Sequence, residues 1–148
     1  MLRMSAQSGC NFCRIIADDD PDVLVYSSPE VVGFLDTRPV FPGHCLLVPR
    51  THYETLDQLP SELAAPLLHA TQVTMRALGE VVGAHGTFVA NNNVVSQSQP
   101  HLHIHVVPRK RKDGLRGFFW PRRPYPDDAA LQDMHNRMRT AIAALTSA

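Results

Sequence analysis

Histidine occupies every second position from 101 to 105, in the run Pro100-His-Leu-His-Ile-His-Val-Val-Pro108. Strict alternation of this kind predicts a β-strand, because side chains at i, i+2 and i+4 point to one face. The apolar spacers Leu102, Ile104 and Val106 then point to the other face, so the strand has a core side and a chemical side. At a rise of about 3.3 Å per residue, neighbouring imidazoles are rooted about 6.6 Å apart and the outer two about 13 Å apart. Adjacent members of the row can share one ligand, but all three hardly can. The row is therefore expected to divide its labour.

The rest of the chain predicts an α+β fold. Val23–Tyr26 and Val31–Leu35 are short apolar runs separated by Ser27-Ser28-Pro29-Glu30, a hairpin pattern. Asp36–Gly43 holds two prolines and a glycine and reads as a loop, and His44–Val48 reads as a third strand. A long helix is expected from near Pro60, with Leu63, Leu67, Thr71, Met75, Leu78 and Val82 at helical spacing, Pro66 as a possible kink, and Gly83 as its end. Thr87–Ala90 and Leu102–Val107 supply the fourth and fifth strands. A second helix runs from an Asp127 N-cap to Leu145, with Leu131, Met134, Met138 and Leu145 on one face. Strands in series without regular βαβ alternation favour an antiparallel sheet of about five strands, with one long helix packed on it and a C-terminal helix.

The 148 residues suffice for one domain. Fourteen basic and fourteen acidic side chains cancel, which argues against a general nucleic-acid or membrane-surface binder. No apolar run approaches the roughly 20 residues of a membrane span. The first residues, MLRMSAQSGCNF, lack the apolar core of a secretion signal, so a cytoplasmic protein is expected. Residues 1–9 are expected to be loose. Seven of the fourteen basic residues fall within 109–123, together with Leu115, Phe118, Phe119 and the single tryptophan, Trp120. A solvated loop is the plain reading of that stretch, but aromatics in a cationic segment also point to a packed cover over a site.

Two chemistries suit the histidine row. His-x-His on a strand can offer two imidazoles to a catalytic metal, with a carboxylate such as Asp36 completing the set. Alternatively, a neutral imidazole is a nucleophile for phosphorus, provided its other nitrogen is held as N–H by an acceptor and donors surround the phosphoryl oxygens. Asn91, Gln97 and Ser98, in the loop leading into His101, are candidate donors, and His44 lies on another strand. Cys10-x-x-Cys13 reads as a metal pair, a redox pair or two small core residues; Cys45 sits among apolar strand residues and reads as core. His69, His85 and His135 read as exposed or capping.

The His-φ-His-φ-His-φ-φ pattern at 101–107 resembles the signature of the histidine triad (HIT) superfamily of nucleotide hydrolases and transferases. Phe34-Leu35-Asp36 with Pro42-Gly43-His44-Cys45-Leu46-Leu47-Val48-Pro49, and Cys10-Asn11-Phe12-Cys13-Arg14-Ile15-Ile16, resemble two further blocks of that family. The resemblance implies a HIT domain over residues 10–109, with residues 110–148 as a tail and helix packed on the domain or on a dimer partner. It implies that His103 attacks the α-phosphorus to form a nucleotidyl-histidine, that His105 contacts phosphate or the leaving group, and that His44 supports them. It implies that Asp36 holds the ribose, that Phe12, Ile15, Phe34 and Leu35 line a purine pocket, and that Ser98 and Asn91 contact phosphate.

The implied substrate is a purine nucleotide derivative, with dinucleoside polyphosphates leading. A phosphoramidate or aminoacyl-adenylate hydrolase, a nucleotidyltransferase or phosphorylase, and a zinc-stabilised nucleotide-binding adaptor are the alternatives. The resemblance further implies a homodimer, a Trp120-Pro121 pair near the partner's site, and a structural zinc on Cys10, Cys13, His52 and His101, with no organic cofactor. One departure stands out. The loop Asn91-Asn92-Asn93-Val94-Val95-Ser96 lacks the glycines that family members carry before the Gln-Ser pair.

Overall fold

The computed structural model describes residues 9–116 and 122–146. It has the α+β architecture expected, with a five-stranded antiparallel sheet of order β1-β2-β3-β5-β4. The strands are β1 (Leu24–Ser27), β2 (Val31–Leu35), β3 (Cys45–Pro49), β4 (Gly86–Ala90) and β5 (Ile104–Arg109), and the helices are α1 (Asn11–Asp18), α2 (Ala64–Val81) and α3 (Asp128–Thr146). The chain forms two compact units, divided after Asp113. Within the first unit the Arg109 guanidinium grips the Asp113 carboxylate through two nitrogens, at 2.6 and 3.0 Å, and so ties the turn back to β5.

Alternation sorts the sheet into two faces. Val31, Cys45, Leu47, Leu102, Ile104 and Val106 pack with Leu67, Ala70 and Leu78 of α2. Val32, Phe34, Leu46 and Val48 form the opposite cluster, covered by Phe12, Ile15 and Ile16 of α1. Leu47 and Leu102 are completely buried. Burying each side chain contributes roughly 1.5–3 kcal/mol.

Helix α1 was not anticipated. Its signal is short: Phe12, Ile15 and Ile16 share one face, and Cys10 is the N-cap, its Sγ accepting the Cys13 N–H at 3.4 Å. A thiol is an uncommon cap, so the usual start signal is missing. Helix α2 begins four residues later than expected, after single 3₁₀ turns at Leu56–Gln58 and Ser61–Leu63. Pro66 then falls in the first turn, where its missing N–H costs nothing and no kink arises. The fifth strand also starts late, at Ile104, so His101 and His103 lie on its extended approach.

The second unit, described by itself, contains α3. Asp127 caps it as expected, accepting the Ala130 N–H at 2.7 Å. Leu131, Met134, Met138, Ile142 and Leu145 are exposed. Phe118, Phe119 and the Trp120-Pro121 pair lie outside the described residues, as do residues 1–8.

The loop lacking glycine adopts the backbone that glycine favours. Val94 has φ 67° and Ser96 has φ 59°. A left-handed conformation costs an L-residue roughly 1–2 kcal/mol. Ser96→Gly is therefore expected to raise stability by about 0.5–1 kcal/mol, read as a higher urea midpoint at unchanged slope. An unchanged or lower midpoint would mean that the loop is not strained at Ser96.

Candidate functional site

The histidine row sinks progressively into the protein. His101 is fully buried, His103 is 4% exposed and His105 is half-buried. All three stand on the α1 side of the sheet, with Phe12 packed edge-on to His103 at 5.2 Å and tilted against His101 at 6.0 Å.

Backbone groups fix the tautomers of His101, His103 and His44, and His44 fixes that of His105. The Pro49 carbonyl can only accept, so His101 carries its proton on Nε2 and donates it at 2.9 Å. Its Nδ1 lone pair is thereby turned toward the cysteines. The His101 carbonyl in turn accepts the His103 Nδ1–H at 2.7 Å, which leaves Nε2 of His103 as a free lone pair. At the other end the Val40 N–H donates to His44 Nδ1 at 3.2 Å. His44 must then carry its proton on Nε2, and it donates to His105 Nδ1 at 2.9 Å. His105 is left with a proton on its outward nitrogen, Nε2. The site therefore offers a bare nitrogen from one imidazole beside an N–H from the next, their ring centroids 4.9 Å apart. A nucleophile beside a proton donor is the pairing that displacement at phosphorus requires.

Loop geometry delivers His44. Gly43 takes φ 102° immediately before β3, and a Cβ there would meet a Leu78 methyl at 3.0 Å. Asp36 lies alongside, its Oδ2 3.8 Å from His44 Nδ1 and its Oδ1 accepting the Arg38 N–H at 2.8 Å.

Burial lowers the pKa of His44 and of His105, the latter to about 4. The nearness of His103 adds to the lowering at both, that of His44 adds to it at His105, and the Asp36 carboxylate opposes it. Both imidazoles are neutral at pH 7, as the hydrogen-bond chain requires. The unfolded chain takes up these protons first, near pH 6.5, so the native state loses stability as pH falls from there toward 4. Tm measured between pH 8 and 4 should be flat above about 7 and decline below it. Burial lowers the pKa of His101 to about 4 as well, so His105→Asn should make the decline shallower without abolishing it; an unaltered slope in that variant would assign the acid sensitivity elsewhere.

Asp36, His44 and His105 could also hold a metal. However, the Nδ1 lone pairs of both histidines already accept N–H groups. The second cluster differs. Ligand atoms of Cys10, Cys13, His52 and His101 all lie within 4.8 Å of one another. His101 Nδ1 is 3.5 Å from both sulfurs, and His52 Nδ1 is 3.2 Å from the Cys13 sulfur. A tetrahedral zinc with Zn–S near 2.3 Å and Zn–N near 2.05 Å sets sulfur and nitrogen ligands about 3.5 Å apart. All three cysteines are free thiols, and two thiols with two imidazoles form a donor set that favours zinc over hard cations. His52 Nε2 is buried without a hydrogen-bond partner, so that ring is held through its other nitrogen alone. The residues present fit a structural zinc.

The remaining expected residues divide. Phe12, Ile15 and Phe34 form one apolar wall beside His103, with Phe12 edge-on to Phe34 at 5.2 Å. Leu35 does not join it. It lines a cavity of about 200 Å³ on the opposite face with Val25, Cys45 and Val73, because consecutive strand residues cannot share a face. Asn91 donates to the His103 carbonyl at 2.9 Å and so steadies the backbone of the row. Gln97 donates to the Glu54 carbonyl at 2.6 Å and accepts the Val94 N–H at 2.8 Å, closing the loop. Ser98 is exposed on that loop. Sequence reasoning missed the Val40 N–H and the Pro49 carbonyl, which fix two tautomers. Backbone groups leave no residue-type signal.

The HIT domain family matches residues 17–112. The chain is 34% identical over 146 residues to the protein hit of Bacillus subtilis, covering 97% of this chain and 99% of that one. It is 32% identical over 111 residues to adenylylsulfatase HINT3 of Arabidopsis thaliana, covering 74% of this chain and 56% of the plant protein. A crystal structure of a zinc-bound histidine triad family protein from Mycobacterium smegmatis superposes with a TM-score of 0.67 at 34% identity, covering 94% of this chain and 96% of that one. The sheet and the row of imidazoles define a histidine triad protein. The chain belongs to the HIT family.

Proposed function

We propose that the protein is a nucleotide hydrolase that cleaves at the α-phosphorus of a nucleoside phosphate derivative, through a nucleotidyl-histidine intermediate. The observation that carries this reading is the pair of fixed tautomers: His103 presents a lone pair on Nε2 while His105 presents an N–H. His103 Nε2 attacks phosphorus and the bond from phosphorus to the leaving group breaks; the His105 Nε2–H hydrogen-bonds the departing atom without giving up its proton, and the leaving group takes any proton it needs from water. A water then attacks phosphorus, losing its proton to solvent; the phosphorus–nitrogen bond breaks, its electron pair returns to His103 Nε2, and the nucleotide is released. Phe12, Ile15 and Phe34 would bear on the base, Asp36 on the ribose, and Ser98 on phosphate; Asn91 and Gln97 would shape the loop around it. The HINT3 relative is named an adenylylsulfatase, which supports an adenylyl group bearing a small leaving group.

A structural zinc on Cys10, Cys13, His52 and His101 belongs to the same proposal, supported by their spacing and by the zinc-bound relative. So does a homodimer. Strand β4 stands at the sheet edge, where another copy can add its own edge, and α3 bears an exposed apolar stripe.

Turnover of diadenosine polyphosphates, adenosine phosphoramidate and adenylyl sulfate, compared as kcat/KM, tests the reading. The best substrate identifies the leaving-group class. Binding of adenine nucleotides with no turnover of any of the three would replace the hydrolase by a nucleotide-binding adaptor.

A further inference from the structure

We infer that the Cys10–Cys13–His52–His101 cluster is the positioning element of the nucleophile, so that its metal loading sets the reactivity of His103. The inference rests on the reading of His103 as nucleophile and of the cluster as a metal site. Two separate connections support it. The first runs through one residue. His101 turns Nδ1 to both cysteine sulfurs at 3.5 Å, while its own carbonyl accepts the His103 Nδ1–H at 2.7 Å. Wherever the cluster holds the His101 ring, the backbone that fixes the tautomer of His103 follows. The anchors around it are also backbone: the Pro49 carbonyl on His101 Nε2–H, and the Tyr53 carbonyl on the Leu102 N–H at 2.6 Å.

The second connection runs through α1. Phe12 lies between the two cysteines in sequence, on the first turn of the helix that Cys10 caps. Its ring packs edge-on against His103 at 5.2 Å. The segment that supplies both sulfurs therefore also supplies the side wall of the nucleophile. Cys13 is the buried residue of that helix, and Ile15 and Ile16 pack beside Phe12 on the sheet. His52 closes the cluster from beyond β3, its ring 4.6 Å from that of His101. A metal held by these four residues would tie three chain segments together through His101, whose own carbonyl holds the nucleophile's proton.

A merely structural metal would change how many molecules are folded. A positioning cluster changes the rate constant of each folded molecule. The two are separated with zinc-loaded wild type, the same protein stripped by a chelator and then reloaded, and His52→Asn. Each form is studied at temperatures where circular dichroism reports it folded. Metal content is measured directly. Nitrogen-15 NMR of the His103 ring at pH 8 reports which nitrogen bears the proton. Single-turnover rates report formation of the nucleotidyl adduct, and calorimetry reports AMP binding.

In the loaded protein His103 is expected to be Nδ1–H. In the stripped protein and in His52→Asn it should become a mixture of both tautomers. The single-turnover rate constant should fall by about tenfold or more, the usual consequence of loosening a supporting hydrogen bond. AMP affinity should fall far less than the rate constant, since Ile15 and Phe34 still line the wall with Phe12, and zinc should restore the stripped wild type. His52→Cys, which supplies a replacement thiolate, should retain both metal and rate. An unchanged His103 tautomer on metal loss overturns the inference, as does a lower adduct yield at an unchanged rate constant. If stripped wild type is unfolded at every temperature, His52→Asn decides by the same two readings. Should the loaded wild type turn over no nucleotide, the hydrolase reading fails separately, and the tautomer measurement still decides the positioning role.

Discussion

His103→Asn is expected to lower turnover by at least about 10³-fold while leaving the melting temperature within a few degrees. Asparagine can still donate a side-chain N–H toward the His101 carbonyl, so the hydrogen bond that orients this position can persist. What it lacks is the lone pair on the outward atom. Adenine nucleotide affinity should therefore survive, because the wall formed by Phe12, Ile15 and Phe34 is intact. Rapid-quench analysis should find a phosphorus–nitrogen adduct in the wild type and none in the variant. Turnover undiminished in the variant would remove the nucleotidyl-histidine mechanism and return the site to the metal-assisted alternative.

The second large effect is on stability. Cys13→Ser is expected to abolish stoichiometric zinc and to lower stability by roughly 3 kcal/mol or more, since metal-binding energy at a structural site is folding energy. Tm should fall by about 10 °C or more. Cys13 is the residue for this test because it is the buried member of α1 and its sulfur approaches both imidazoles, at 3.2 and 3.5 Å. Cys45→Ser serves as the control. That thiol lies in the α2-side core and donates to the Gly43 carbonyl, so its loss should cost stability without altering metal content. A zinc-free wild type that melts no lower after chelation would leave the cluster as four packed side chains.

Much of the fold was legible because period-two and period-3.6 patterns report burial directly. The five strands, α2 and α3 all carried such patterns. Helix α1 escaped because eight residues with a thiol cap give too little periodicity to stand out. The late start of β5 escaped because alternation continues through Leu102 and His103 although ladder pairing begins only near Ile104. That Leu35 faces away from Phe34 is a property of the strand, which sends sequence neighbours to opposite faces, and a motif of adjacent residues does not show it. The glycine-free loop was noticed in the sequence. That Val94 and Ser96 nonetheless take the left-handed backbone required the structure.

By itself the sequence determined which residue types carry the chemistry, and that three imidazoles share one face of an extended run. That much follows from the pleat, which depends only on local backbone geometry. Tertiary structure decided how those equal imidazoles became unequal. His101, His103 and His105 are alike in residue type and spacing, yet one faces two sulfurs, one faces the site with a lone pair and one faces it with a proton. The difference comes from the Pro49 and His101 carbonyls and the Val40 N–H, whose donor or acceptor character is fixed and whose positions depend on how distant segments pack. An imidazole can carry its proton on either nitrogen, and the partner supplied by the fold selects which.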